Sequence, residues 1–191
     1  MAALTADVVG LIRKTILDSY KYSDGFPILK ELVQNANDAE ASEMSIYFSS
    51  GIPNAKHELL KNPALIVYNN GKFTPRNERG IQRIADNNKE TDNSKIGKFG
   101  LGMKSIFHLC DMFFYAVNTS KAANPEERVP YHLETINPWE TDSDDRHSDW
   151  IDFNDEDKLL FEKALPINMK EEQGFLLWIP GKTQDNSKMS A

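Results

Sequence analysis

The sequence predicts an α/β or α+β sandwich, because helical patterns alternate with short strands that follow one another closely along the chain. The chain has 191 residues, of which 40% are hydrophobic and 10% aromatic, and this composition is typical of a globular domain. No apolar run in the sequence approaches the roughly 20 residues of a membrane-spanning helix. These observations predict one domain over residues 1–183, followed by a tail at 184–191.

Charge and cysteine content narrow the range of partners. A net charge of −7 argues against whole-domain attraction to nucleic acid or anionic membranes. An acidic run predicts an insertion at about 139–157, whereas the stretch 76–104 is locally basic and indicates a small anionic ligand. Cys110 is the only cysteine, which excludes an internal disulfide. Since the N-terminus is unlike a signal peptide, the simplest prediction is a cytoplasmic protein.

Periodic patterns predict most of the elements along the chain. Helices are expected at 8–20, from Pro27 to about Ala41, from Pro75 onward, from the glycine-rich segment to about Cys110, and at 155–165. Strands are expected at 44–48, 64–68, 112–117 and 174–179. The stretch 121–157 has few periodic runs before its last residues, and no strand is predicted there.

The first motif lies on the helix that begins at Pro27. At about 100° per residue, Glu31, Asn35 and Asp38 share one face, and apolar residues occupy the other. A carboxamide oxygen suits Mg²⁺, and a carboxylate one turn earlier can orient or deprotonate a water molecule. The pattern therefore fits a hydrolytic metal site, although the solvated face of an amphipathic helix has the same pattern.

The second motif is a strand that ends in Asn69-Asn70-Gly71. Asn-Gly is a common two-residue hairpin turn, and on its own this segment fits such a turn better than a ligand site.

The third motif is the segment 97–105, with Gly97, Gly100 and Gly102 ahead of a predicted helix. Glycines let the backbone approach an anion closely, and free N–H groups at a helix start favour phosphate. The segment is not a Walker loop, because Met103 separates the last glycine from Lys104. It is not a dinucleotide fingerprint either, because no later glycine completes the pattern G-x-G-x-x-G. A glycine-rich turn alone is a weak signal, but the order of the three motifs strengthens it.

In this order the motifs resemble those of the GHKL superfamily of ATP-binding domains. The strongest likeness is to the sacsin-like branch and to the amino-terminal domains of ninety-kilodalton heat-shock chaperones. The residues that carry it are 28–39, 67–70 and 96–111, within a resemblance that covers about 8–118 and has a weaker match at 174–180. It implies a Bergerat fold, a two-layer sandwich with helices on one face of a mixed, mostly antiparallel sheet and a nucleotide lid at about 72–99.

The resemblance also implies roles for individual residues. Glu31 corresponds to the general base for the attacking water, and Asn35 to the Mg²⁺ ligand. Asp38 would order waters near the nucleotide. Asn69 takes the place of an aspartate that accepts the adenine amino hydrogen. The turn that contains Asn69 and Gly71 is one residue shorter than the corresponding turn of the family.

Further implied contacts concern the phosphates and the adenine. Lys89 corresponds to a lid lysine that faces phosphate. Phe175 replaces a threonine that touches adenine in many relatives, so this contact is expected to be lost. The phosphate loop corresponds to Gly97, Lys98, Phe99, Gly100, Leu101, Gly102 and Met103.

Together these roles imply Mg²⁺-dependent ATP binding and slow hydrolysis, as a conformational switch in a larger chaperone-like or defence-type protein. The expected ligands are ATP or ADP and Mg²⁺, and the expected partners are further domains of a longer chain or other proteins, without nucleic acid or membrane. An alternative, favoured by Asn69 and Phe175, is a nucleotide-sensing module without significant turnover. A kinase and a protein-binding module without nucleotide are further alternatives that fit the motifs less well.

Overall fold

The computed structural model describes residues 27–85, 103–137 and 153–182. The predicted helix at 8–20, most of the predicted lid and phosphate loop, most of the acidic stretch and the tail lie outside these residues. In the described ranges the helices are α1 (Pro27–Asp38), α2 (Pro75–Ala85) and α3 (Asp155–Ala164). The strands are β1 (Met44–Ser49), β2 (Ala64–Asn69), β3 (Phe113–Asn118), β4 (His132–Ile136) and β5 (Gly174–Pro180), and short 3₁₀ helices cover Glu58–Lys61, Met103–His108 and Pro125–Glu127.

The five strands form one sheet in the order β1-β2-β5-β3-β4, and all four described pairings are antiparallel. The expected class, α+β, is confirmed by this sheet and its helices. β5 lies at the centre and all seven of its residues are buried. Its register places Asn69 of β2 directly opposite Phe175 of β5, so the second motif lies beside the segment of weaker resemblance at 174–180.

The sheet is covered on both faces. One face packs against α1, α2 and the 3₁₀ helix Met103–His108, through a cluster that includes Val67, Tyr115 and Leu177. The other face packs against α3 and the connection between β1 and β2. The described helices therefore do not all lie on one face, contrary to the expectation, because successive residues of the apolar β5 point to opposite faces and both need cover.

Phe161 fixes α3 to this second face. Its ring centroid lies 5.1 Å from that of Trp178 and 5.8 Å from that of Phe114. Asp157, in the first turn of α3, is buried and accepts hydrogen bonds from the backbone nitrogens of Lys56 (2.6 Å) and His57 (3.0 Å). The last residues of the predicted acidic insertion thus belong to the folded domain, and one of these carboxylates holds the β1–β2 connection.

Three predicted elements differ from the structure. α1 ends at Asp38 rather than near Ala41, because Ala39 packs beneath the turn after β2 and Glu40 has a positive φ of 57°. The helix after the glycine-rich segment is a 3₁₀ helix that ends at His108. β4 lies in the stretch for which no strand was predicted. None of the helices described is both long and apolar enough to cross a bilayer.

Candidate functional site

The polar face of α1 is present as the spacing predicted. Asn35 is buried, Glu31 is half-buried and Asp38 is exposed, whereas Leu32 and Ala36 are buried against the sheet. The helix therefore presents a carboxylate, a carboxamide and a second carboxylate from one turn to the next.

Asn35 is the unusual member of this face. It is 6% exposed, and its buried Nδ2 atom has no hydrogen-bond partner among the described residues. An unpaired buried donor costs about 1–3 kcal/mol, and most such groups in proteins have a partner. The side chain is thus suited to an additional polar ligand, and rotation of the amide by 180° would present its oxygen instead.

The turn after β2 is joined to the end of α1. The Gly71 amide donates to Asn69 Oδ1 (3.0 Å), and the Lys72 amide donates to the Ala39 carbonyl (2.7 Å). A Cβ atom on Gly71 would lie 2.7 Å from the Cβ of Ala39, so this close approach requires glycine. The first two motifs therefore meet at one end of the sheet.

The two asparagines of this turn make different hydrogen bonds. Asn70 Oδ1 accepts from the backbone nitrogens of Ser42 and Glu43, both at 3.0 Å, and its Nδ2 donates to Ser42 Oγ. Asn70 therefore holds the α1–β1 connection in place. Asn69 is half-buried, and its Oδ1 keeps a second lone pair beyond the one used by Gly71.

Phe73 was not singled out by the sequence motifs, yet it forms one wall of this region. Its ring stacks on that of Phe175 with centroids 4.6 Å apart and an angle of 6° between the planes, and both side chains are buried. Thr119 Oγ1 donates to the Phe73 carbonyl (2.8 Å) and fixes its backbone. Phe175, at the position where many relatives were expected to have threonine, is therefore fixed by its stack on Phe73 beside Asn69.

A cavity of about 200 Å³ opens on the outer side of the same turn. Its lining includes Lys72, Thr74, Lys121 and Gln173. The hydrogen bond and ion pair with Glu40 raise the pKa of Lys72, so this lysine stays charged. Because Glu127 also lines the cavity, its rim carries charges of both signs.

The third motif is only partly described. Lys89, Gly97, Lys98, Phe99, Gly100, Leu101 and Gly102 lie outside the described residues, and Met103 begins the 3₁₀ helix. That helix contacts α1, and its Ile106 and Phe107 share a buried cluster with Ile28 and Leu32. The chain after the glycine-rich segment thus returns to the helix that bears Glu31 and Asn35, although a six-residue 3₁₀ helix has a smaller dipole than the longer helix expected.

Two titratable groups near this motif do not belong to the site. Burial raises the pKa of the Cys110 thiol well above its usual value, so it remains protonated and serves as a core residue. Desolvation, with a smaller effect from Lys182, lowers the pKa of His108. Within the described ranges, no group of three or more His, Cys, Asp or Glu side chains could hold a metal ion. A cation here would need ligand atoms beyond the protein, as Mg²⁺ bound to phosphates has.

α2 is tied to the far edge of the sheet. Glu78 Oε1 lies 2.5 Å from Nε2 of His132 on β4, and the Tyr115 hydroxyl lies 3.5 Å from the same carboxylate oxygen. His132 belongs to none of the three sequence motifs. Its partner lies on a distant segment, and no local pattern in the sequence could have indicated this contact.

The geometry defines an α+β domain with a polar helix face and a strand-end turn joined at one end of an antiparallel sheet. The chain belongs to the Sacsin domain family, whose family model matches residues 6–191. It is 41% identical over 98 residues to Sacsin of Homo sapiens, a match that covers 48% of this chain and 2% of the human protein. It is 31% identical over 90 residues to Protein NO VEIN of Arabidopsis thaliana, covering 47% of this chain and 3% of that protein.

Proposed function

We propose that this domain binds ATP with Mg²⁺ on the polar face of α1, hydrolyses it slowly and acts as a switch in a larger chaperone-like or defence-type protein. The observation that carries the proposal is the buried, unpaired Nδ2 of Asn35, about one turn from Glu31 and about one turn from Asp38 on the same face. With the amide rotated by 180°, Oδ1 would take the place of the unpaired Nδ2, and a cation bound there would supply the missing partner.

The chemistry assigned to each side chain follows from its type and position. Bound Mg²⁺ would neutralise charge on the phosphates. Asn35 would offer its amide oxygen to the metal, Glu31 would accept the proton of the attacking water, and Asp38 would orient nearby waters. Asn69 would accept the adenine amino hydrogen through the second lone pair of Oδ1.

The contacts of the turn support the switch. Gly71 and Lys72 connect the turn to α1, and α2 begins three residues later at Pro75. A ligand that contacts both Asn35 and Asn69 would favour one arrangement of α1, the turn and α2 over another. The difference between its affinities for the two arrangements would set the size of the population shift. The chain spans 2–3% of the length of the relatives it matches, so neighbouring domains are the proposed recipients of the change.

Phosphate release tests the catalytic part. Glu31→Ala should lower the rate by about 10²–10⁴-fold while leaving nucleotide affinity nearly unchanged, because a general base acts in the transition state. Glu58→Ala is the matched control, since Glu58 is an exposed glutamate on the 3₁₀ helix between β1 and β2. A Glu31→Ala protein with the normal rate would refute the assignment.

The second candidate function, nucleotide sensing without turnover, is favoured by the Phe73–Phe175 stack beside Asn69. A site that these two rings narrow beside Asn69 can bind a nucleotide without closing over it tightly enough for hydrolysis. This function predicts that the wild type binds ATP but releases no phosphate, and that Asn69→Ala weakens affinity. Phosphate release by the wild type that disappears in Glu31→Ala would exclude it.

A further inference from the structure

β1 lies at one edge of the sheet that the described residues form, and it exposes large apolar side chains. Phe48 is 85% exposed and Ile46 is 43% exposed. Ile46 lies opposite Val67, which shares a buried cluster with Ile28 and Leu32 of α1, and alternation along the strand places Phe48 on the same face. The strand sequence, Met-Ser-Ile-Tyr-Phe-Ser, contains neither a charged residue nor a proline, and these are the usual protections of an edge strand.

The pairing of β1 with β2 shows which backbone groups of β1 point outward. The Asn70 amide donates to the Glu43 carbonyl (3.2 Å), and these residues lie opposite each other when the register is extended by one pair. Every second pair of an antiparallel ladder is hydrogen-bonded, so the odd-numbered residues of β1 bond to β2. The N–H and C=O groups that point away from β2 therefore belong to Met44, Ile46 and Phe48.

These outward groups and the exposed side chains make a surface for an added strand. None of the described residues bonds to the outward N–H and C=O groups. A row of such groups is where an extended peptide joins a sheet, and alternate side chains of the peptide then give specificity. Residues directly opposite each other share a face of the sheet, so the peptide needs apolar residues opposite Ile46 and Phe48.

The charge beside β1 favours a different protein over a second copy of this chain. Glu43 is exposed, its carboxylate lies 3.5 Å from the Ser45 hydroxyl, and none of the lysines and arginines in the described ranges forms an ion pair with it. The stretch 40–53 contains two glutamates but neither lysine nor arginine, and the chain carries a net charge of −7. Two copies paired through β1 would therefore bring no cation to Glu43, whereas a basic partner would.

We propose that β1 binds an extended segment of another protein as an additional antiparallel strand. The segment has apolar residues opposite Ile46 and Phe48 and a lysine or arginine opposite Glu43. An antiparallel strand runs against β1, so this basic residue follows the apolar ones in the partner sequence. The antiparallel direction matches the other pairings of the sheet and is slightly more stable per residue than the parallel one. The inference is independent of ATP binding.

A fluorescent peptide, Thr-Val-Thr-Val-Thr-Val-Lys, tests the backbone pairing by anisotropy titration with the full 191-residue chain. Its valines would lie opposite Phe48, Ile46 and Met44, and its lysine opposite Glu43. Saturable binding is expected. N-methylation of the middle valine should weaken it about tenfold or more, because that N–H would point at β1. N-methylation of the next threonine, whose N–H would point away, should change affinity less than about twofold. No saturable binding, or equal effects of the two methyl groups, would overturn the proposal.

A charge exchange tests whether the partner is basic and whether it lies on β1. Glu43→Lys should weaken binding of the lysine peptide by about threefold or more and should strengthen binding of a peptide that ends in glutamate instead. Glu171→Lys, at an exposed glutamate away from β1, should leave the preference for the lysine peptide unchanged. The same peptide preference in Glu43→Lys and the wild type would contradict the predicted register.

Hydrogen exchange of the free chain distinguishes the other possible occupants of the edge. With β1 open, the amides of Ile46 and Phe48 should exchange rapidly, the amide of Tyr47 should be protected, and the lysine peptide should slow the first two. Sedimentation is measured on the same sample. Protection of the outward amides in a dimer would show that a second copy pairs with β1, and their protection in a monomer would show that a segment of the same chain does. Either result would overturn the proposal.

Discussion

Phe73 and Phe175 stack nearly parallel at the end of the sheet where the turn after β2 meets the start of β5. One ring comes from a turn and the other from the central strand, and Phe175 also lies opposite Asn69. The pair therefore links the packing of the core to the shape of the candidate site. Any ligand that reaches Asn69 does so beside these two rings.

Truncation of this pair should destabilise the domain strongly. Phe175→Ala should lower the free energy of unfolding by about 3–5 kcal/mol, because it leaves a cavity and removes a stacked partner. Leu159→Ala, at an exposed position, should change it by less than about 0.5 kcal/mol. Denaturant unfolding measures both. A Phe175→Ala loss as small as that of the control would mean that the stack contributes little.

Gly71 should tolerate no side chain. Gly71→Ala would put a Cβ 2.7 Å from the Ala39 Cβ and 2.9 Å from the Ala39 carbonyl oxygen, so the turn and α1 must separate, at a cost of about 1–3 kcal/mol. Gly80→Ala is a matched control, because a Cβ there meets no described atom within 4 Å. That change should stabilise α2 by up to about 1 kcal/mol. Thermal unfolding should move in opposite directions for the two variants, and a shift of the same sign would contradict the account.

Among the carboxylates in the first turn of α3, Asp157 should contribute most to the stability of the fold. Asp157→Ala leaves the backbone amide of the buried His57 and that of Lys56 without their acceptor, and we expect a loss of at least about 2 kcal/mol. Asp155→Ala removes an exposed carboxylate from the same turn and should cost less than about 1 kcal/mol. Urea unfolding distinguishes them, and equal losses would argue for a general effect of charge at the helix start.

Glu162 should make stability depend on pH. Burial alone raises the pKa of Glu162, but hydrogen bonds from Lys170 (2.7 Å) and Tyr131 (2.8 Å) lower it by more, so the net shift is downward. The carboxylate therefore stabilises the fold above its unfolded pKa, and this contribution is lost as pH falls through the folded pKa. Glu162→Gln should flatten the decline in Tm between about pH 6 and pH 3. The exposed Glu171→Gln should keep the wild-type slope, and an identical slope in Glu162→Gln would show that other groups are responsible.

Much of the fold could be predicted from local patterns. The alternation of β1 and the amphipathic spacing of α1 each reflect burial of one side of an element, and the apolar run of β5 reflects burial of both sides. The polar face of α1 could be predicted because Glu31, Asn35 and Asp38 follow from helical geometry alone. The close approach of Gly71 to Ala39 agrees with a glycine in the turn, but the sequence did not indicate its partner.

Other features depend on contacts between distant segments. β4 escaped prediction because only Leu133 and Ile136 are buried in it, a spacing that does not alternate. The 3₁₀ helix Glu58–Lys61 places two adjacent leucines in the core, which gives no helical period. The stack of Phe73 on Phe175 and the cover of the second face by α3 join residues far apart in the sequence. No local pattern contains that information.

Calorimetric titration of the full chain with ATP, ADP and a non-hydrolysable ATP analogue, with and without Mg²⁺, tests the central claim most directly. We expect Mg²⁺-dependent binding of ATP and of the analogue. Asn35→Ala should weaken this binding by about tenfold or more, because it removes a buried polar contact to a charged ligand. Asn37→Ala, an exposed asparagine on the same helix, should leave it unchanged. No binding of any adenine nucleotide, or equal affinity in Asn35→Ala and the wild type, would contradict the account.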